Sequence, residues 1–213
     1  MAAEPRSRRA AVPWLAALGI AALAAVVVGV GTTRQRIADN ESAQVLKILR
    51  ELLPDGSFDN RPDEDRVLLS SPELLGSEQP LPAYRARRAG ELSAVVLGTI
   101  ARDGYLGPIH LLVALDPAGR VLAVRVTAHQ ETPALGGQIG ASDSDWMERF
   151  KGRSLDDPPA VRWALRRDGG DFDQITGATV TSRAVVIAVR DAAEFFRIHH
   201  DQIAAAPAAG HVP

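Results

Sequence analysis

The ten residues Asp173-Gln174-Ile175-Thr176-Gly177-Ala178-Thr179-Val180-Thr181-Ser182 gather hydroxyls and small side chains directly ahead of an apolar helical stripe. Such a loop delivers its hydroxyls to a helix N-terminus, where unpaired backbone N–H groups and the positive end of the helix dipole suit a phosphate. Gly177 and Ala178 leave room for a phosphate to approach the main chain. A threonine hydroxyl placed there is able to accept a phosphoryl group, because the developing negative charge is already provided for. The plainer alternative is that Thr179, Thr181 or Ser182 only caps the first turn. Spacing alone favours the cap.

A second cluster, His129-Gln130-Glu131-Thr132-Pro133-Ala134-Leu135-Gly136-Gly137, follows a run rich in Val and Ala. If that run continues as a strand, His129 and Glu131 project from one face, as a metal site or an acid–base pair would need. No third ligand and no nucleophile motif accompanies them, so neither chemistry is expected. The chain has no cysteine. Disulfides, thiolate metal sites and cysteine-held iron–sulfur clusters are therefore excluded, and redox chemistry would have to come from a bound organic cofactor. No Gly-x-Gly-x-x-Gly loop for a nicotinamide dinucleotide is present either.

The elements that must position these residues follow from patterning. With 213 residues, 46% apolar and 23% charged, the chain suits one domain plus appendages. A net charge of −2 and scattered basic residues, densest at Arg85, Arg87 and Arg88, argue against nucleic acid as a partner. Ala10 to Gly31 holds no charged side chain, long enough as a helix to cross a bilayer, with Trp14 at the interface. A cleavable signal peptide would have a shorter core and an A-x-A-like exit, so a single anchor is expected. The positive-inside rule puts residues 1–9 in the cytoplasm, with residues 10–32 spanning and the bulk of the chain outside.

Ile37–Leu53 reads as a stalk helix ended by Pro54, and Asp55–Pro82 as irregular, so that residues 33–83 join anchor to domain. Leu92–Ile100, Ile109–Leu115 and Val121–Thr127 read as strands, the last two joined by an Asp116-Pro117-Ala118-Gly119 turn. Ser142 or Asp143 is expected to cap a short helix through Phe150, with Trp146 and Phe150 on one face. Val161–Leu165 reads as a further strand, and Ser182–Ile203 as a closing helix with Val185, Val189, Ala192 and Phe196 along one side. The domain, residues 84–203, is thus α+β with a mostly antiparallel sheet and flanking helices, and residues 204–213 form a tail.

Asp173, Thr176, Gly177, Ala178 and Thr179 reproduce Asp-x-x-(Ser/Thr)-Gly-Ala-Thr, which resembles the motif modified by periplasmic flavin transferases. These enzymes move the FMN half of FAD onto the motif's final threonine, so the resemblance implies a phosphoester at Thr179, with Thr181 as its only rival. The segment from His129 resembles the His-x-Glu-Thr-Pro-Gly-Leu-Gly signature of FMN-binding domains, departing at Ala134, usually glycine, and Gln130, often lysine. Asp103-Gly104-Tyr105-Leu106-Gly107-Pro108-Ile109 is similar to the Gly-Tyr-x-Gly-Pro-Ile start of that family's central strands. The three motifs lie in order across about Tyr84 to Phe196, beyond one span and a stalk ending Leu-Leu-Pro.

The chain is accordingly similar to the G subunits of Rnf-type ion-translocating electron transport complexes. It is less similar to the C subunits of sodium-translocating NADH–quinone reductases. The resemblance implies covalent FMN and a single-pass bacterial inner-membrane protein with its domain on the periplasmic side. It implies partners that carry iron–sulfur clusters and a second, membrane-embedded flavin. Cofactor contacts would come from Glu131, Thr132, Pro133, Leu135 and Gly136 as well as the threonine motif. Tyr105 and Trp146 are candidates to pack on the ring, though a tryptophan on a helical face is more often core. A flavin-free, membrane-anchored binding module is the competing reading.

Overall fold

The computed structural model describes residues 42–141, 144–208 and 211–212. The expected span, the cytoplasmic N-terminus, the cap at Ser142 or Asp143 and parts of the tail lie outside them. Among the described residues no helix is long and apolar enough to cross a membrane.

Residues 42–52 form a helix, α1. Five strands then run as an antiparallel meander: β1 (Arg66–Ser71), β2 (Ser77–Arg88), β3 (Glu91–Ala101), β4 (Ile109–Leu115) and β5 (Val121–Ala128). A two-residue β6 (His211–Val212) adds in parallel beside β1, giving the order β5-β4-β3-β2-β1-β6. The β4–β5 hairpin arises as its turn predicts. Gly119 takes a left-handed φ of +78° and donates its N–H to the Asp116 carbonyl, while the Asp116 carboxylate accepts from the Arg120 N–H. One face of the sheet presents Val95, Leu97, Ile109, Leu111, Val113 and Leu115, all buried. Against β3 and β4 lies α2 (Thr179–Ala205), whose buried stripe includes Val185, Val189, Ala192 and Phe196. Each fully buried Val, Leu or Phe of this layer contributes roughly 1.5–3 kcal/mol.

Four findings differ from the expected elements. First, Asp55–Pro82 is not irregular throughout, since it holds β1 and the first half of β2. The apolar signal there is only Val67–Leu69, and Pro80 and Pro82 argue against a strand. They are tolerated because β2 pairs with β3 only from Ala83 onward, so the earlier half bonds to β1 alone. Second, Val161–Leu165 forms no strand but a 3₁₀ turn at Ala160–Arg162 followed by a single bridge, Leu165 to Phe172. Trp163 and Leu165 do point inward alternately, but no strand lies beside them. Third, α2 begins at Thr179 rather than Ser182. Fourth, the segment expected as a short helix is a 3₁₀ turn, Trp146–Phe150.

The described part of the stalk is α1, and its end belongs to the domain. Leu49, Leu52 and Leu53 are buried, and Glu51 pairs with Arg125 of β5. The arginines at the end of β2 are not a surface patch. Arg85 is 2% exposed and, with Arg87, is held by the Asp65 carboxylate. From that position Arg85 Nη1 donates to the carbonyls of Ile203 and Ala206 at 2.9 and 2.5 Å, and Arg87 Nη2 to that of Ala204 at 2.9 Å. These are the otherwise unpaired carbonyls at the C-terminal end of α2.

Candidate functional site: a cleft at the start of the long helix

Three segments distant in sequence meet beside the first turn of α2. They are the loop before β4 (Gly104–Gly107), the loop after β5 (Glu131–Gly137) and the approach to the helix (Gly177–Thr181). Together they line a cleft of about 310 Å³, with Tyr105, Leu135 and Val180 as exposed apolar walls. Clefts of about 330 and 420 Å³ elsewhere contain none of the motif residues.

Glu131 joins the three segments. It is 4% exposed, and its Oε1 accepts the Leu106 backbone N–H at 2.9 Å while its Oε2 accepts the Thr181 hydroxyl at 2.5 Å. Charge-assisted bonds of this kind are roughly twice as strong as neutral ones. Gly136 packs against this pair, for a Cβ there would lie 2.7 Å from Thr181 Oγ1 and closer still to Glu131 Oε2. His129 does not pair with the Glu131 side chain. Its Nδ1 accepts the Glu131 backbone N–H at 3.1 Å, closing a tight turn rather than half a metal site.

The next turn is made by the Thr132 carbonyl, which accepts from the N–H groups of Leu135 and Gly137 at 3.0 and 2.8 Å. Pro133 and Ala134 are exposed on its outside. Ala134, the departure from the resembled signature, sits without strain, since its φ is not in the left-handed region. Leu135 is 43% exposed and forms one wall of the cleft.

The threonine motif is ordered by Ser182 rather than by a side-chain cap. Ser182 Oγ donates to the Ala178 carbonyl at 2.8 Å and accepts the Ile175 N–H at 3.0 Å. Gly177 turns the chain with φ +77°, a conformation that glycine adopts without the penalty other residues meet. Thr176 is exposed, Ala178 is buried, and Thr179 is half-buried at the first helical position. The two candidate hydroxyls are therefore unlike. That of Thr181 is buried and committed to a carboxylate, whereas that of Thr179 meets only Arg167 Nη1, at 3.3 Å. Asp173 lies behind the loop, where its carboxylate pairs with Arg149 and Arg166 at 2.7 and 2.9 Å.

Trp146 does not reach the cleft. It is buried beside Phe150, with ring centroids 5.4 Å apart, and its Nε1–H donates to the Asp173 carbonyl at 2.8 Å. Phe150, Trp163 and Phe172 continue this aromatic layer, so Trp146 supports the motif from below. Tyr105 is 67% exposed and is the aromatic group available to a bound ring.

Ion pairs surround the helix start. The bond from Arg183 holds the Asp168 carboxyl below its usual range, and the bond from Arg162 does the same for Asp171. Folded values lower than unfolded ones give stabilisation that is present above the unfolded pKa, near 4, and lost as pH falls through the folded values. Denaturant unfolding at pH 3 should therefore show lower stability than at pH 7. Replacing Arg162 and Arg183 by glutamine should shrink that difference, as should high salt, because both pairs are exposed.

The cleft thus combines apolar walls, an exposed aromatic at its edge and a hydroxyl at a helix start. Residues 104–194 match the model of the FMN-binding domain family. Relatives extend the match to most of the chain. The G subunit of the ion-translocating oxidoreductase complex of Pseudomonas aeruginosa (strain UCBPP-PA14) is 48% identical over 180 residues, 84% of each chain. Its counterpart in Vibrio vulnificus (strain YJ016) is 42% identical over 80% of this chain and 81% of its own. That of Aliivibrio fischeri (strain ATCC 700601 / ES114) is 38% identical over 91% of this chain and 92% of its own. The chain belongs to this family, the G subunits of ion-translocating oxidoreductase complexes.

Proposed function

We propose that this chain is an electron-carrying subunit of a membrane-bound ion-translocating oxidoreductase, with FMN joined through its phosphate to Thr179. The observation that carries the reading is the difference between the two hydroxyls. Thr181 is buried and donates to Glu131, while Thr179 stands at the edge of the cleft beside a guanidinium. The residues fit the group: Tyr105, Leu135 and Val180 offer apolar surface for a flat ring, and the first turn of α2 offers backbone N–H groups for a phosphate.

FMN, when bound, would supply the electron chemistry, which no side chain here provides. The protein's own contribution is then to tether, orient and partly shield. Glu131 fixes the Leu106 and Thr181 walls of the cleft, and Gly136 lets them close. Thr132 and Leu135 line the cleft beside them, on the turn that Pro133 shapes from outside. In this reading the span at residues 10–32 anchors the subunit in the inner membrane with the domain on the periplasmic side. Iron–sulfur subunits and a membrane-embedded flavin subunit are its electron partners, and a flavin transferase is its maturation partner. Attachment through phosphate keeps the cofactor from diffusing away in a compartment without a flavin pool.

The test is direct. The full-length chain, expressed with a flavin transferase, should give a fluorescent band on a denaturing gel, and a peptide spanning residues 171–183 should carry the mass of FMN less water. A dark band would overturn the flavin reading, and flavin mapped to another peptide would overturn the site.

A further inference from the structure

We infer that Arg167 is the residue that meets the phosphate transferred to Thr179: it neutralises the phosphoester and speeds its formation. The inference rests on the flavin reading above and adds a residue that no motif contains. Five arginines surround the approach to α2, and three aspartates serve four of them. Arg183 takes both oxygens of Asp168, at 2.8 and 3.0 Å. Arg162 holds Asp171, and Arg149 and Arg166 divide the oxygens of Asp173. Arg167 makes no ion pair among the described residues, and its Nη1 points instead at Thr179 Oγ1, 3.3 Å away. The cluster therefore carries surplus positive charge, with one guanidinium outside these ion pairs placed at the more accessible of the motif's two candidate hydroxyls.

An exposed arginine whose hydrogen bond goes to a hydroxyl rather than a carboxylate contributes little to stability. It gains a partner as soon as that hydroxyl bears an anion, because a guanidinium presents its donors in a fork that matches two phosphate oxygens. In the transfer, Thr179 Oγ forms a bond to the flavin-side phosphorus of FAD. The anhydride P–O bond breaks, AMP leaves with the bonding pair, and the hydroxyl proton is released to solvent. The charge that develops as the anhydride breaks goes to the departing AMP, while the transferred phosphoryl group keeps one negative charge, spread over its own oxygens. Arg167 faces those oxygens from the acceptor protein's side, a position the transferase itself need not fill.

The experiment follows flavin uptake by the full-length chain in detergent, with purified flavin transferase and FAD, by intact mass against time. Arg167→Gln should lower the initial rate about tenfold, as expected for one lost charge-assisted hydrogen bond, and Arg167→Lys should recover most of it. Unmodified Arg167→Gln should melt at the wild-type temperature, which separates the effect from unfolding. Attachment should raise the wild-type melting temperature more than that of the variant. Equal rates and equal melting shifts for wild type and Arg167→Gln would overturn the inference while leaving the flavin reading intact. A wild-type chain that takes up no flavin would overturn both.

Discussion

A Thr179→Ala chain should emerge from expression with a flavin transferase carrying no covalent flavin, while Thr179→Ser retains it. The effect is all or none because no other hydroxyl is placed to substitute. Thr181 is 1% exposed, and its hydroxyl donates to a carboxylate that already holds a second segment in place. Using it would leave Glu131 with an unpaired oxygen in a buried site, a cost on the order of 1–3 kcal/mol or more. Ser182 is fully buried and bonded on both sides, and Thr176 is exposed on the outer side of the turn. The fold should be indifferent to the change, since the Thr179 side chain contributes one long contact to Arg167. Intact mass and the melting temperature of each variant check both halves. Flavin retained on Thr179→Ala would move the attachment point and undo the distinction between the two hydroxyls.

Gly136→Ala should cost stability on the order of 2–4 kcal/mol, combining overpacking with damage to a buried charge-assisted bond. The added methyl would lie 2.7 Å from Thr181 Oγ1 and nearer still to Glu131 Oε2, closer than atoms tolerate. Relief by swinging Glu131 outward is blocked, because the same carboxylate accepts the Leu106 N–H through its other oxygen. Relief by moving α2 is no easier, since Val185 and Val189 further along it are fully buried against the sheet. For a domain of this size the expected fall in melting temperature is roughly 5–15 °C. Amide exchange at Leu106 should accelerate in parallel. An unchanged melting temperature would mean that the loop after β5 yields freely and that Glu131 is no clamp.

What could be read from the sequence was what is local. The β4–β5 hairpin announced itself through Asp116-Pro117-Ala118-Gly119, and α2 through its apolar stripe, because turn chemistry and helical period depend on near neighbours. The first half of β2 escaped notice because its pairing lies with β1, and its two prolines speak against a strand until the one-sided bonding is known. The start of α2 was placed three residues late, since Thr179-Val180-Thr181 carries weak helix formers.

The site divides in the same way. The motifs supplied residue types, and the resemblance singled out Thr179. The bond between Glu131 and Thr181, fifty residues apart in sequence, had no local trace. Arg167 had none either. It sits in the run Arg166-Arg167-Asp168, where only the geometry separates the arginine that serves an aspartate from the one left over. The sequence left Trp146 open as a ring partner or core, and it is core, because the 3₁₀ turn aims it at the aromatic layer.

The clamp of Asp65 on Arg85 and Arg87 has a consequence beyond the ends of α2. It fastens the segment ahead of β1 to a turn more than a hundred residues later, 118 and 121 positions from Arg85 at its two carbonyl contacts. In a chain with no cysteine this ionic staple does the work that a long-range disulfide would do. Unlike a disulfide it has no oxidation state. The domain can thus keep its two ends together without a thiol pair to reduce, and its integrity stays independent of the redox poise of its surroundings, as the proposed electron-carrying role would require.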